Sequence, residues 1–273
     1  MFYFRERDQD NEQIAKAREY RQRTMDLPVS DIASTRHEQS AAEWTAWIKA
    51  IALEVGADDV GICAYRDEWC YDDRPVPQGK WAVVMAFKQS YESMLAAPAV
   101  ESYVEVMGQY GRAGETSKRL ANQIRERGHY AVAKTGPMTE DVLMIPAAIE
   151  AGLGELGKHG SMIHREFGSN FRLSMVLTDL PLDADAPDIL GADLFCTHCQ
   201  VCANACPPDA IYREKQMVRG ETKWYVDFDQ CIPYFVDHQT CGICLVVCPW
   251  SRPGAAGNLV AKMAQRLDRA KVS

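Results

Sequence analysis

Apolar positions between residues 41 and 55 recur at helical spacing: Trp44, Trp47, Ile48, Ile51, Leu53 and Val55. That pattern predicts an amphipathic helix, ended by Gly56. Two short apolar runs follow, at 59–64 and 81–87. Their length and content predict buried strands, the second entered through the turn Pro75-Val-Pro77-Gln-Gly79. Residues 115–127 predict a helix stopped by Gly128, and 129–133 a strand. Residues 144–152 predict a helix with Pro146 near its start, and 172–178 another strand. Helices interleaved with strands point to an α/β sandwich over residues 41–190.

The flanks are different. Residues 1–40 are polar and weakly periodic, with Leu27-Pro28 as a break; they predict an arm, a helix or strap packed on the main domain. Residues 191–252 hold most of the cysteines on short connections, which predicts a small metal-held module in place of a large apolar core. Residues 253–273 carry Leu259, Val260, Met263 and Leu267 and predict a terminal helix. Apart from two cysteine motifs there is no internal repeat.

Composition narrows the classes. The chain has 273 residues, 47% hydrophobic and 25% charged, with a formal net charge of -8. These are ordinary globular proportions, and the acidity gives no footprint for nucleic acid or for anionic membrane surfaces. No apolar run approaches the roughly 18 residues of a membrane span. The start, Met-Phe-Tyr-Phe-Arg-Glu-Arg-Asp, stays charged through Arg23 and is no signal peptide, so a cytoplasmic protein is expected. Ten cysteines in such a setting suggest metal rather than disulfides.

Four cysteines form the run Cys196-Thr-His-Cys199-Gln-Val-Cys202-Ala-Asn-Ala-Cys206-Pro207. This is the C-x2-C-x2-C-x3-C-P spacing that holds 4Fe–4S clusters, the fourth cysteine reaching across to a second cluster. The second run is Cys241-Gly-Ile-Cys244-Leu-Val-Val-Cys248-Pro249, and Cys231 upstream is the candidate for the missing ligand, without which the second cluster would be a three-iron form. By the crossing rule, cluster one takes Cys196, Cys199, Cys202 and Cys248. Cluster two takes Cys206, Cys231, Cys241 and Cys244. Zinc favours paired C-x2-C units and often histidine, and fits two proline-terminated runs poorly. His198, inside the first run, is expected to tune or shield a cluster rather than ligate it. Cys63 sits in a strand pattern and is expected in the core. Two clusters imply electron transfer, and residues 41–190 should accept or deliver the electrons.

A glycine-rich stretch offers the acceptor: Ala151-Gly-Leu-Gly-Glu-Leu-Gly-Lys158-His-Gly160, followed by Glu166-Phe-Gly168-Ser-Asn-Phe-Arg172 and Thr178-Asp-Leu-Pro-Leu182. Such a backbone can lie close to a flat or phosphorylated ligand, though a structural turn explains it equally well. Taken in order with the two cysteine motifs, and with Trp69-Cys-Tyr71 and Cys248-Pro-Trp250, these pieces resemble the corrinoid-dependent reductive dehalogenases from about residue 48 to 251. The epoxyqueuosine reductases share the Ala-Gly-Leu-Gly and Gly-Lys pieces and the cluster motifs.

The resemblance implies a nitroreductase-like α/β domain that binds a corrinoid (cobalamin), followed by a bacterial-ferredoxin-like module with two 4Fe–4S clusters. It implies that corrinoid contacts come from Gly152, Gly154, Leu156, Gly157, His159 and Gly160, and from Phe167, Gly168 and Ser169. It implies Tyr110 as the catalytic tyrosine, at a helix entry, with Lys158 as its basic partner; a lysine beside a phenol favours the phenolate. It implies a small-molecule substrate, an organohalide, and an external electron donor such as a ferredoxin or flavodoxin. A second reading is a corrinoid reductase of epoxyqueuosine type acting on a C–O bond, which would want a catalytic acid near Pro137-Met138, where none stands. A third is an electron carrier or corrinoid-handling protein, in which Tyr110 would face away from any cavity.

Overall fold

The computed structural model describes residues 11–135 and 141–272; the stretch around Pro137-Met138 lies outside them. Helix α1 (Glu12–Met25) leads into an extended strap and then α2 (Ala41–Glu54). Asn11 caps α1 by accepting from the Gln13 and Ile14 N–H groups. A reciprocal Ser40–Glu43 capping box starts α2. Strands β1 (Asp59–Ala64) and β2 (Trp81–Lys88) precede the long helix α3 (Val100–Arg125). Then come β3 (Ala131–Lys134), α4 (Met144–Glu150), the two-residue strands β4 (Glu155–Leu156) and β5 (Met162–Ile163), and β6 (Phe171–Thr178).

The central sheet runs β1-β2-β6-β3, with every pairing antiparallel. Alternate residues of β2 serve opposite faces. Val83, Met85 and Phe87 pack with Trp44 and Ile48 of α2 and with Leu120 and Ile124 of α3. Ala82, Val84 and Ala86 pack with Trp69 and with Ala147 and Ala148 of α4. With both faces covered, the strand reads as an unbroken apolar run. The fold is thus mixed α/β, with helices on both sides of one sheet.

The helix expected over 115–127 instead begins at Val100. The part before residue 115 carries Gly108, Gly111 and Gly114, each costing about 1 kcal/mol of helix propensity, which weakens the local helix pattern. Tertiary packing overrides that. A Cβ on Gly111 would stand 2.4 Å from the Tyr20 ring, and one on Gly114 3.4 Å from Thr24 Oγ1. The glycines let α1 lie close against α3. The strap is tied alongside: Ser30 N–H donates to Asn122 Oδ1 (2.8 Å) and Ala33 N–H to the Arg125 carbonyl (2.9 Å).

The C-terminal part comprises α5 (Ala192–His198), a hairpin of β7 (Gln216–Val218) and β8 (Glu221–Lys223), α6 (Phe228–Asp237) and α7 (Ala255–Val272), joined by one-turn helices. Leu190, Trp224, Trp250 and Met263 form its core with Cys196 and Cys248. Glu155 ties it to the sheet region by accepting from the Leu190 (3.0 Å) and Ala192 (2.7 Å) N–H groups. Among the described residues no helix is long and apolar enough to cross a membrane.

Candidate functional site

All ten cysteines are free thiols, and eight gather in two sets. Burial pushes Cys196 and Cys202 up to about 12, with repulsion from Cys248 and Cys199 adding to it. Cys248 is raised by burial first and by Cys199 after it. Cys231 and Cys241 are raised by burial and then by Cys206. Cys244 is raised by burial, then by Cys241, Cys202, Cys206 and Cys231. The first set is therefore Cys196, Cys199, Cys202 and Cys248. The second is Cys206, Cys231, Cys241 and Cys244, and the two adjoin at Cys244. Among the described residues no three ligating side chains close on a single metal ion. Thiols held this close in apolar surroundings ionise only against a bound cation, so the donor set fits iron clusters. Backbone donors also reach the sulfurs: the Lys158 N–H to Cys196 Sγ (3.5 Å) and the Ala210 N–H to Cys206 Sγ (3.4 Å).

Cys241 is presented by unusual backbone. Gln239, Thr240, Cys241 and Gly242 are all left-handed, at φ 42, 67, 44 and 88°. Left-handed non-glycine residues cost roughly 1–3 kcal/mol each and persist where surroundings enforce them. Here the Thr240 N–H donates to Phe235 O (3.0 Å) and the Cys241 N–H to His238 O (2.7 Å). The turn folds Cys241 back toward Cys231 on α6. Gly242 is its one sequence signal.

A cavity of about 1190 Å³ lies between α1, α3 and the second thiol set. It is larger than the roughly 300–1,000 Å³ of most small-molecule pockets. Cys206, Cys231, Cys241 and Cys244 line it on one side, and Tyr110 and Arg172 line it as well. Tyr110 is not at a helix entry; it sits inside α3. The Arg172 guanidinium lies 5.3 Å over its ring, a cation–π contact. Lys158 is elsewhere. Fully buried, its ammonium donates to the Arg213 carbonyl (2.8 Å) and lies 4.7 Å over the Trp224 ring. Burial, the first cause, draws its pKa down, opposed by the cluster-one thiols Cys202, Cys196 and Cys199. The cation beside Tyr110 is thus Arg172 rather than Lys158.

The glycine-rich stretch divides. His159 and Gly160 line the cavity. A Cβ on Gly152 would stand 2.6 Å from Ala186 O, on Gly154 2.1 Å from Ile163 O, and on Gly168 2.3 Å from Trp250 O. Those three glycines let backbones pass closely. A Cβ on Gly157 would meet the His159 ring, and Leu156 packs toward Trp224 and Trp250. Phe167 stacks on His164 at 4.1 Å, and His164 Nε2 donates to Asp59 (2.9 Å).

Ser169 joins cavity to cluster. His159 is neutral, its pKa pushed down to about 4 by complete burial. Its Nδ1 accepts from the Ser161 N–H (3.2 Å), which leaves the proton on Nε2 to donate to Ser169 Oγ (2.8 Å). The Ser169 hydroxyl in turn favours the ionised form of the Cys248 thiol, against the burial that raises its pKa. His198 is exposed at the end of α5. Cys63 is buried in the sheet, where its thiol reaches the Ala147 carbonyl at 3.3 Å.

Residues 195–251 match the family model of the 4Fe-4S dicluster domain, and those residues contain all eight thiols. The tetrachloroethene reductive dehalogenase of Desulfitobacterium hafniense is 32% identical over 87% of this chain and 54% of that protein. The chain is a homologue of the reductive dehalogenases. A catabolic reductive dehalogenase solved with 3-bromo-4-hydroxybenzoic acid superposes on the homologue with a TM-score of 0.82 at 28% identity, covering 92% of this chain and 39% of that one. Epoxyqueuosine reductases are more distant. That of Leadbetterella byssophila is 30% identical over 49% of the chain and 44% of its own length. The homologue spans about half the length of the curated dehalogenases it matches.

Proposed function

We propose that this chain is the catalytic and electron-transfer portion of a corrinoid-dependent reductive dehalogenase, with a nitroreductase-like lobe over 41–190 and the cluster module over 191–252. The observation that carries the reading is one cavity lined both by the cluster-two thiols and by the Tyr110–Arg172 pair. The reaction balances as R–X + 2 e⁻ + H⁺ → R–H + X⁻. An external donor, of ferredoxin or flavodoxin type, supplies the electrons. They enter at cluster one, whose Cys199 edge borders the exposed Thr197 and His198, and leave from cluster two, whose thiols face the cavity.

A bound corrinoid would supply a strongly reducing metal centre facing the substrate; the cavity has the room for it, and His159 and Gly160 would help hold it. Tyr110 bears the proton on its phenol oxygen. Arg172 holds that ring in place and places positive charge where a departing halide gathers negative charge. The walls of α1 and α3 keep bulk water from the reacting carbon.

The test is reconstitution of the full chain with iron, sulfide and cobalamin under reducing conditions. Uptake should give a base-off corrinoid spectrum, and a halophenol should release halide. Tyr110→Phe should keep the spectrum and lose about 10²–10⁴-fold in rate, the span of general-acid effects. A protein that takes up no corrinoid and releases no halide would overturn the reading.

A further inference from the structure

The chain as a whole is acidic at -8, yet its cavity is not. The lining carries Arg18, Arg21 and Arg172 against a single carboxylate, Glu19. Two of these arginines have unanswered donors. The Nε atoms of Arg21 and Arg172 are buried with no hydrogen-bond partner, and among the described residues neither guanidinium has an acidic partner. A buried, unpaired guanidinium donor is expensive, so its persistence in a cavity wall points to an anion as its partner.

Arg21 is the informative one. It stands on α1, outside the stretch from residue 48 to 251 that carries the family motifs. The helix turns Ile14, Ala17 and Thr24 inward and presents Arg18, Arg21 and Met25 to the cavity, the i, i+3, i+7 stripe of one helical face. The close seat at Gly111 and Gly114 fixes that face. Arg18 is already engaged, its Nε donating to Tyr103 Oη at 2.8 Å. Arg21 is left to bind, and its planar fork matches a carboxylate.

We propose that α1 makes the cavity selective for anionic substrates: the organohalide is an acid whose carboxylate is held by Arg21. The inference rests on the cavity being the substrate site proposed above. The phosphate of a cobalamin's nucleotide tail offers the same oxyanion chemistry, and the experiment separates the two.

Full-length protein carrying its clusters and corrinoid is titrated by calorimetry with 3-bromobenzoate and with its neutral counterpart 3-bromobenzamide. The acid should bind roughly 10- to 100-fold more tightly, the worth of a charge-assisted hydrogen bond. Arg21→Gln should erase that preference while taking up cobalamin and cobinamide, which lacks the phosphate, as the parent does. Equal binding of acid and amide by the parent overturns the proposal. So does an Arg21→Gln protein that loses affinity for cobalamin but not cobinamide, which assigns the arginine to the cofactor. Should Arg21→Gln fail to hold its clusters, Arg21→Lys decides: it keeps charge but not the fork, and an unchanged acid–amide gap overturns the proposal. An intact acid preference with no halide released from either compound would refute the dehalogenase reading and leave the anion site standing.

Discussion

The sheet region and the cluster region are held together by different means. In β2, residues 82–87 are fully buried, with a separate apolar core on each face. In the cluster region, α6 has no buried residue at all, and cysteines stand among the core side chains. One region is stabilised by apolar area removed from water. The other is stabilised by coordination, with four successive left-handed residues at 239–242 that area alone would not maintain.

The sharpest break of that comparison is removal of iron. Chelation under reducing conditions should expose amides across 195–251 to hydrogen exchange, while those of β1, β2 and β6 stay protected. Uniform loss of protection would mean that the two regions share one stability. Removing a single ligand gives the graded version: Cys199→Ala should lose about half the iron if the clusters assemble independently, and unchanged iron would refute its assignment as a ligand.

The second break is at the seam. Gly168 is left-handed at φ 60°, and a Cβ there would stand 2.3 Å from the Trp250 carbonyl oxygen. The next residue's N–H donates to Ser251 Oγ (2.9 Å). Gly168→Ala should cost about 2–5 kcal/mol, from strain and overpacking together, read as a lower melting temperature of the cluster-loaded protein. A neutral result would show that the two regions meet loosely.

The same contrast explains what the sequence revealed. The strands were legible because burial on both faces writes an unbroken apolar run, as at 81–87. The thiols were legible because cluster geometry constrains spacing, and the fold draws the spaced cysteines of residues 196–248 together. The part of α3 before residue 115 was not legible, because Gly111 and Gly114 are there for α1, a partner no local window sees. The Tyr110 partner was not legible for a related reason. Lys158 and Arg172 both sit in motif-rich stretches, and only the fold shows that β6 turns Arg172 to Tyr110 while Lys158 is spent on Arg213 and Trp224. In the glycine-rich stretch, close backbone passage at Gly152, Gly154 and Gly168 and ligand contact read alike in sequence, because both call for a missing Cβ.

His159 sharpens the comparison through pH. Its folded pKa of about 4 lies below the ordinary 6.5. Above 6.5 the imidazole is neutral in folded and unfolded chains alike, and its contribution is fully present. Between 6.5 and about 4 only the unfolded chain takes the proton, so stability falls with falling pH. The loss reaches on the order of 3 kcal/mol and stops growing once the folded chain protonates too. His159→Gln should flatten that part of the stability–pH profile, measured by denaturant unfolding of the cluster-loaded protein. An unchanged slope would assign the acid sensitivity to other groups.

The smallest effect is the most local. Ser169 takes a hydrogen bond from His159, and its hydroxyl favours the ionised Cys248, so a cavity residue is coupled to a cluster-one ligand. Adding an electron makes a cluster more negative, and a donor to its sulfur stabilises that state and raises the reduction potential. Ser169→Ala removes the donor. A hydrogen bond worth about 0.5–1.5 kcal/mol corresponds to roughly 20–65 mV for one electron, so cluster one should become harder to reduce by that amount while cluster two stays where it is. Redox titration followed by electron paramagnetic resonance reads the two separately. A shift in cluster two instead would reverse the pairing of Cys248 with cluster one.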